Sequence, residues 1–207
     1  MRPLVSIGFI FFLALPCSSV DLNFRFRNGF CQRQGTPGYN PKHWGECGNL
    51  VSSRLTNEKQ SNSQITGSIL DTSYIYASHY QGGDWSYVLL RRAILFQSIW
   101  HNVKADFINL QGSHIKGSQF KNVSMQNLSA TGSRFTQTQF INCDLQNANL
   151  WGANLQEVDF DGSDLRGADL RNTFLLFTSF LGAKINNKTR LPFSIDEAHE
   201  KGMVFID

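Results

Sequence analysis

A five-residue pattern of small and large apolar positions runs through most of the chain. A small uncharged residue is followed two places later by a larger apolar one. The frame continues without an insertion from Ser63 to Asn187 and fails at Glu58 and Gln60. Because units this short bury their apolar side chains only against their neighbours, the period predicts a solenoid. The clearest pairs are Ala148/Leu150, Ala153/Leu155, Val158/Phe160, Ser163/Leu165 and Ala168/Leu170.

A second position of the unit predicts a tight turn. Sixteen positions between 112 and 187 lie two residues after a large apolar one, and thirteen of them are Gly or Asn. These two residue types tolerate the positive φ that the third position of a type II turn requires. Each unit is therefore a short extended piece and a turn, and a chain that turns every five residues coils into a tube. The thirteen are Gly112, Gly117, Gly132, Gly152, Gly162, Gly167, Gly182, Asn122, Asn127, Asn142, Asn147, Asn172 and Asn187.

Aromatic residues at the large apolar position give the size of one coil. They recur every twenty residues, which is four units, so the rings are expected to stack in one inner column. Four sides of five residues predict an all-β fold, a four-sided parallel β-solenoid of about six coils over residues 63–187. At the usual strand spacing the rod is about 30 Å long. The column consists of Tyr80, Trp100, Phe120, Phe140, Phe160 and Phe180.

The units with Ala, then Asp or Asn, then Leu are similar to those of the pentapeptide-repeat family. They occupy residues 148–152, 153–157 and 168–172, with looser copies around them. The resemblance implies a right-handed quadrilateral parallel β-helix. The tail at 191–198, followed by Gly202-Met203-Val204, is similar to the segment that often follows the last coil in such proteins.

The amino-terminal residues 1–19 are typical of a cleavable signal peptide. Arg2 precedes an apolar run at 4–15, and Cys17-Ser18-Ser19 supplies small residues for cleavage. The run is too short to span a bilayer. A lipoprotein signal at Cys17 is the alternative, and Pro16 disfavours it. We therefore expect a bacterial protein that is periplasmic or secreted, with no membrane span after the signal is removed.

Residues 20–62 are predicted to form a cap on the first coil. Alternating apolar and polar residues around Asn28-Gly29 indicate a hairpin. In an oxidising compartment Cys31 and Cys47 are expected to form a disulfide, which closes a loop of about fifteen residues and stabilises by about 3 kcal/mol. Two unrelated free thiols are the alternative.

Residues 188–207 are predicted to close the other end of the tube. Ser194 and Glu197 have the spacing of a capping box, and Gly202 suits the end of a helix. The sequence therefore predicts a short helix from about Ile195 to Lys201.

Charge and motifs give little support for catalysis. The net charge is +3, and six of the nine acidic residues of the repeat lie between 144 and 169. Asp144 and Asp164 are expected to stack on adjacent coils, a spacing that resembles a retaining glycosidase, but the repeat motif itself places Asp or Asn there. The histidines share no column, and no zinc spacing, phosphate loop or dinucleotide fingerprint is present. We expect no enzyme activity, no cofactor and no metal.

Three functions remain as hypotheses. The first is a non-enzymatic exported scaffold that binds a protein or an envelope component, with a dimer through a coil end as an expected assembly. The resemblance offers a second, a DNA-mimicking protein that binds topoisomerases and protects them from quinolones, but that role needs a strongly acidic surface and a cytoplasmic address. The third is a carbohydrate-binding or carbohydrate-processing solenoid, for which Trp44, Tyr74, Tyr76 and Trp151 are the outward aromatic candidates. No nucleic-acid partner is expected.

Overall fold

The computed structural model describes residues 50–207. The predicted signal peptide, hairpin and Cys31–Cys47 disulfide lie outside these residues. The described chain contains twelve short strands and one helix: β1 Arg54–Thr56, β2 Lys59–Ser61, β3 Tyr74–Tyr76, β4 His79–Gln81, β5 Ile94–Phe96, β6 Ile99–His101, β7 His114–Lys116, β8 Gln119–Lys121, β9 Arg134–Thr136, β10 Gln139–Ile141, β11 Lys184–Ile185, α1 Ile195–Glu200 and β12 Val204–Phe205.

Parallel strands stack with a register of twenty residues, so the chain is a four-sided solenoid. The β1 face has the order β1-β3-β5-β7-β9 and continues through bridges at Asn154 and Phe174. The β2 face has the order β2-β4-β6-β8-β10 and continues through Asp159 and Ser179. Isolated bridges form the third face, from Gln64 to Lys184, and the fourth face, from Ile69 to Asp169.

The solenoid is longer than the sequence predicts. Its third face has eight rows, at Gln64, Asp84, Lys104, Ser124, Asp144, Asp164, Lys184 and Val204. The expected six coils are therefore corrected to about eight.

The predicted boundary between a cap at 20–62 and a solenoid at 63 is wrong, because the ladder already includes residues before 63. β1 and β2 already pair with β3 and β4, and the backbone N–H of Leu50 donates to the carbonyl of Ile69 at 2.8 Å. Glu58 and Gln60 break the apolar pattern without breaking the ladder. The Glu58 carboxylate accepts a hydrogen bond from Gln60 Nε2 at 3.3 Å, and the Glu58 backbone N–H donates to Ser78 Oγ at 3.2 Å.

The aromatic residues spaced by twenty form one continuous column inside the tube. Ring centroids are separated by 4.7 Å for Tyr80 and Trp100, by 5.6 Å for Trp100 and Phe120, and by 5.0 Å for Phe120 and Phe140. The Phe140–Phe160 and Phe160–Phe180 separations are 5.2 and 5.4 Å. All six side chains are buried. The four phenylalanine rings from Phe120 to Phe180 stack with successive rings within 9° of parallel to one another.

The turn position behaves as its composition predicts. Of the thirteen Gly and Asn residues at this position, twelve have a positive φ, and Asn187 alone does not. At Asn187 the regular coil ends, because Asp169 pairs with Arg190 instead of the residue twenty positions later. The last row of the fourth face is thus one residue longer than the others.

The carboxyl-terminal segment closes the last coil, as predicted. The helix α1 starts after Ser194, whose Oγ accepts a hydrogen bond from the Glu197 N–H, and it ends at Glu200. β12 then pairs in parallel with β11. The Phe193 ring contacts Phe180 edge-on at 6.3 Å, so the segment covers the end of the aromatic column.

We expect Phe140→Ala to destabilise the protein by about 3–5 kcal/mol, because it leaves a cavity between two stacked rings. Phe177→Ala is the matched control, since this ring is 80% exposed, and its effect should stay within about 0.5 kcal/mol. Urea unfolding followed by circular dichroism gives both values. Equal losses of stability would contradict the assigned register.

Candidate binding surface

The interior of the described solenoid is filled with side chains, so candidate sites lie on its outer faces. A groove of about 660 Å³ follows the corner between the fourth face and the β1 face, and Gly112 and Gly132 contribute to its lining. At one end the guanidinium of Arg91 binds the carboxylate of Asp71, with Nε donating to Oδ2 at 2.9 Å. Burial raises the pKa of Asp71, but the hydrogen bonds and charge of Arg91 outweigh this and hold it below its usual value. Asp71 and Arg91 thus neutralise each other, and Arg92 is the one further charged residue in the lining of this groove.

Two adjacent faces instead carry unpaired positive charge. Five exposed cations project from the β1 and β2 faces between residues 54 and 141, and none forms an ion pair with a carboxylate of residues 50–207. Glu58, which is buried, is the single acidic residue on these faces in that range. We call this area the basic surface. Its cations are Arg54, Lys59, Lys116, Lys121 and Arg134.

Aromatic side chains occupy the middle of the basic surface. Tyr74 lies 6.1 Å from Tyr76 and 6.2 Å from Phe96, measured between ring centroids. Phe96 contacts the His114 ring edge-on at 5.4 Å, and the Arg54 guanidinium lies 5.1 Å from the centre of the Tyr74 ring. Cation–π contact of this kind holds the arginine over the ring without neutralising its charge.

The local electrostatics of the basic surface are visible at His114. Burial lowers the pKa of His114, and the neighbouring charges of Arg134 and Lys116 lower it further. A proton on this imidazole is disfavoured first by burial and then by the two cations, which form no ion pair with a carboxylate among the described residues. An anionic ligand at this place would supply that compensation.

The acidic residues are arranged differently. Asp164 binds Arg166 at 2.6 Å, and Asp169 binds Arg171 at 2.7 Å and Arg190 at 3.6 Å. Burial raises the pKa of Asp164, but the hydrogen bonds and charge of Arg166 lower it by more, so the pKa lies below its usual value. Hydrogen bonding to Arg171 lowers the pKa of Asp169. These carboxylates lie in the late coils on the third and fourth faces, and much of their charge is cancelled locally.

The candidate catalytic carboxylates make structural hydrogen bonds. Asp144 and Asp164 do occupy adjacent rows. However, Asp144 Oδ2 accepts from Gln126 Nε2 at 2.6 Å, while Asp164 is held by Arg166. Nearby, burial and then the charge of Asp161 raise the pKa of Asp159, whose Oδ1 accepts from the Asp161 N–H. Asp144 and Asp164 therefore belong to the outward ladder of Asp and Asn residues of the repeat.

Metal-binding and nucleophilic groups are not assembled within residues 50–207. No group of three His, Cys, Asp or Glu side chains suitable for a metal ion occurs there. Cys143 fills a small inward position, and burial raises the pKa of its thiol to about 12, which makes it unreactive. In the described part of the chain, no helix has the length and apolarity needed to cross a membrane.

The outward aromatic candidates from the sequence separate in space. Tyr74 and Tyr76 belong to the basic surface, Trp151 lies on a corner of the fourth face, and Trp44 is outside the described residues. Sequence analysis missed Phe96 and the clustering of the five cations. Sorting the outward residues into columns of twenty would have revealed both, because the repeat frame already defines the columns.

A second exposed surface is apolar and lies on the last coil. Its side chains are 39–80% exposed, which is unusual for large apolar groups lying close together. They project where the β1 and β2 faces end next to α1. The members are Phe174, Leu176, Phe177 and Leu181.

This geometry defines a parallel β-solenoid built from five-residue units, and the family comparison agrees. Residues 133–172 match the family model for pentapeptide repeats in eight copies. Residues 133–172 therefore carry pentapeptide repeats, in the frame that the sequence predicts. No curated protein matches the chain.

Several solved structures are similar at low identity. The pentapeptide-repeat protein Rfr23 from the cyanobacterium Cyanothece 51142 is 18% identical over 69% of this chain and 90% of that chain, with a TM-score of 0.42. A trypsin-treated form of QnrB1, a plasmid-mediated fluoroquinolone resistance protein, is 14% identical over 74% and 90%, with a TM-score of 0.47. A pentapeptide-repeat protein of the Arabidopsis thaliana thylakoid lumen is 17% identical over 79% and 81%, with a TM-score of 0.28. The repeat match of residues 133–172 is independent of these likenesses.

We expect acidification to destabilise the wild-type protein more than a His114→Gln variant. The folded-state pKa of His114 is lowered, so the unfolded chain binds the proton first as the pH falls through about 6.5. Thermal melts at about pH 7.5 and pH 5.5 give the difference. His79→Gln, on the β2 face, is the control and should melt like the wild type at both pH values. A wild-type loss equal to that of His114→Gln would contradict the assigned electrostatics.

Proposed function

We propose that the protein is a non-enzymatic exported scaffold that binds an anionic component of the cell envelope through the basic surface. The observation that carries the proposal is the set of five exposed cations without ion-pair partners among the described residues. Elsewhere among residues 50–207, Arg91, Arg166 and Arg171 are each paired with a neighbouring aspartate. The other cations without an ion pair there, Arg92, Lys104, Lys184 and Lys188, lie on or beside the faces that carry the aspartates. Cations that no carboxylate of the described residues neutralises leave charge available to a partner.

The filled interior of the solenoid formed by residues 50–207 supports a binding role over a catalytic one. Ligand and catalytic sites usually occupy concave pockets with convergent polar groups. Here the inward positions are filled by stacked rings and aliphatic side chains. The outward positions form nearly flat ladders, which suit a broad contact.

Export is proposed from the amino-terminal sequence. The charged start, the apolar run at 4–15 and the small residues at 17–19 predict cleavage after Ser19. The partner is then a protein or another component outside the cytoplasm. The dimer through a coil end also stays a proposal, and the apolar side chains of the last coil favour that end for the contact.

The topoisomerase-binding hypothesis gains no support from the surface. A DNA mimic needs continuous unneutralised negative charge, whereas three of the aspartates on or beside the third and fourth faces are bound by arginines. The β1 and β2 faces have the opposite sign through their first five rows. Charge of this kind repels the DNA-binding groove that such a mimic must enter.

The test compares two triple variants of equal net charge. Lys116→Glu, Lys121→Glu and Arg134→Glu reverse the basic surface. The control, Arg92→Glu, Lys104→Glu and Lys188→Glu, reverses exposed cations elsewhere. We expect retention of the purified protein on the envelope fraction of its source cells to fall about tenfold for the first variant only.

Equal retention of both variants would refute a role for the basic surface. Amino-terminal sequencing of the mature protein tests export independently, since a processed chain is expected to begin at Val20. Recovery of an unprocessed chain from the cytoplasm would refute export and return attention to the topoisomerase hypothesis.

A further inference from the structure

The basic surface is ordered along the rod, with its cations in two groups and its rings between them. Arg54 and Lys59 lie in the first row of their faces, whereas Lys116 and Lys121 lie in the fourth and Arg134 in the fifth. With about 4.8 Å between rows, the first and fourth rows are about 14 Å apart.

Aromatic side chains fill the interval between the two cationic groups. Tyr74, Tyr76 and Phe96 occupy the second and third rows of the β1 face, and Tyr76 is 36% exposed. On the β2 face the same interval contains a hollow of about 300 Å³, lined in part by His79, His101 and Lys121. His101 Nδ1 lies 3.0 Å from Gln81 Oε1, so polar groups edge this hollow.

This order suits a ligand that presents both negative groups and apolar patches along its length. Duplex DNA carries one negative charge for about every 1.7 Å of its axis, which five cations over five rows would neutralise poorly. A polymer with one carboxylate on each sugar has a lower charge density. Its pyranose rings also present C–H faces that pack on aromatic side chains.

The rigid ladder also suits an extended chain. Parallel rows hold the outward side chains at a fixed repeat, so a polymer aligned with the rod meets equivalent positions in successive coils. The protein loses little conformational freedom when it binds, because the backbone is already fixed by hydrogen bonds between coils.

We propose that the basic surface binds an acidic polysaccharide aligned with the rod axis. Carboxylates of the polymer contact the two cationic groups, and the intervening sugar faces pack on Tyr74, Tyr76 and Phe96. The inference rests on the proposed function, because it names the chemical class of the envelope component that the same surface binds.

The experiment measures binding of polygalacturonate by isothermal titration calorimetry. The ring variant is Tyr76→Ser with Phe96→Ser. The control is Tyr87→Ser with Phe107→Ser, an exposed stacked pair at the corner between the third and fourth faces, with 4.8 Å between ring centroids. We expect the ring variant and the triple variant of the basic surface each to bind about tenfold more weakly than the wild type, and the control to bind like the wild type. Thermal melts confirm that each variant is folded.

Other outcomes separate this inference from the proposed function. Loss of binding in the charge variant but not in the ring variant would indicate simple ion exchange and overturn the polysaccharide. Tighter binding to a single-stranded oligonucleotide or to phosphatidylglycerol vesicles would also overturn it, while charge-dependent retention on the envelope fraction would leave the proposed function standing. Failure of wild-type protein to bind polygalacturonate at low salt overturns it directly.

Discussion

Backbone hydrogen bonds between adjacent coils hold every other feature of the molecule in place. The Tyr74 N–H donates to the Ser53 carbonyl at 2.8 Å, and the Ile94 N–H donates to the Ser73 carbonyl at 2.9 Å. A single bond of this type contributes only about 1 kcal/mol. The ladder acts collectively, however, because each coil is stable only when its neighbours cover its backbone groups and its inner side chains. The aromatic column and the surface ladders are both consequences of this one register.

The same ladder tolerates local strain at the corners. Gly and Asn occupy most turn positions, but Tyr87, Phe107 and Phe177 also have a positive φ. A left-handed conformation is costly for a bulky residue. Hydrogen bonds on both sides fix the corner, so the backbone conformation is determined by the coil and not by the residue that occupies it. Outward side chains can therefore vary widely while the tube keeps its shape.

Much of the fold was predictable because the repeat is short and its positions have distinct chemistry. The spacing of Phe120, Phe140 and Phe160 gives the coil size, and Ser194 with Glu197 gives the start of α1. The first coil was missed because Glu58 and Gln60 hide the apolar period, although the backbone still pairs there. The candidate surface was harder to find. Charge counted along the sequence suggests an acidic region near the end. On the solenoid, by contrast, the cations of the basic surface lie on the β1 and β2 faces, and aspartates such as Asp164 and Asp169 lie on the third and fourth faces.

The four-unit coil has a consequence for how this protein can change in length. Removing twenty residues deletes one whole coil and leaves every later side chain on the face that it now occupies. Removing five residues shifts every later side chain by one face of the solenoid, so that Lys121 would move to the face that now carries Lys116. The phenylalanine stack would be cut at the same point. Duplication or loss of whole coils is therefore the route by which such a chain can lengthen or shorten while its outward side chains stay aligned in their columns.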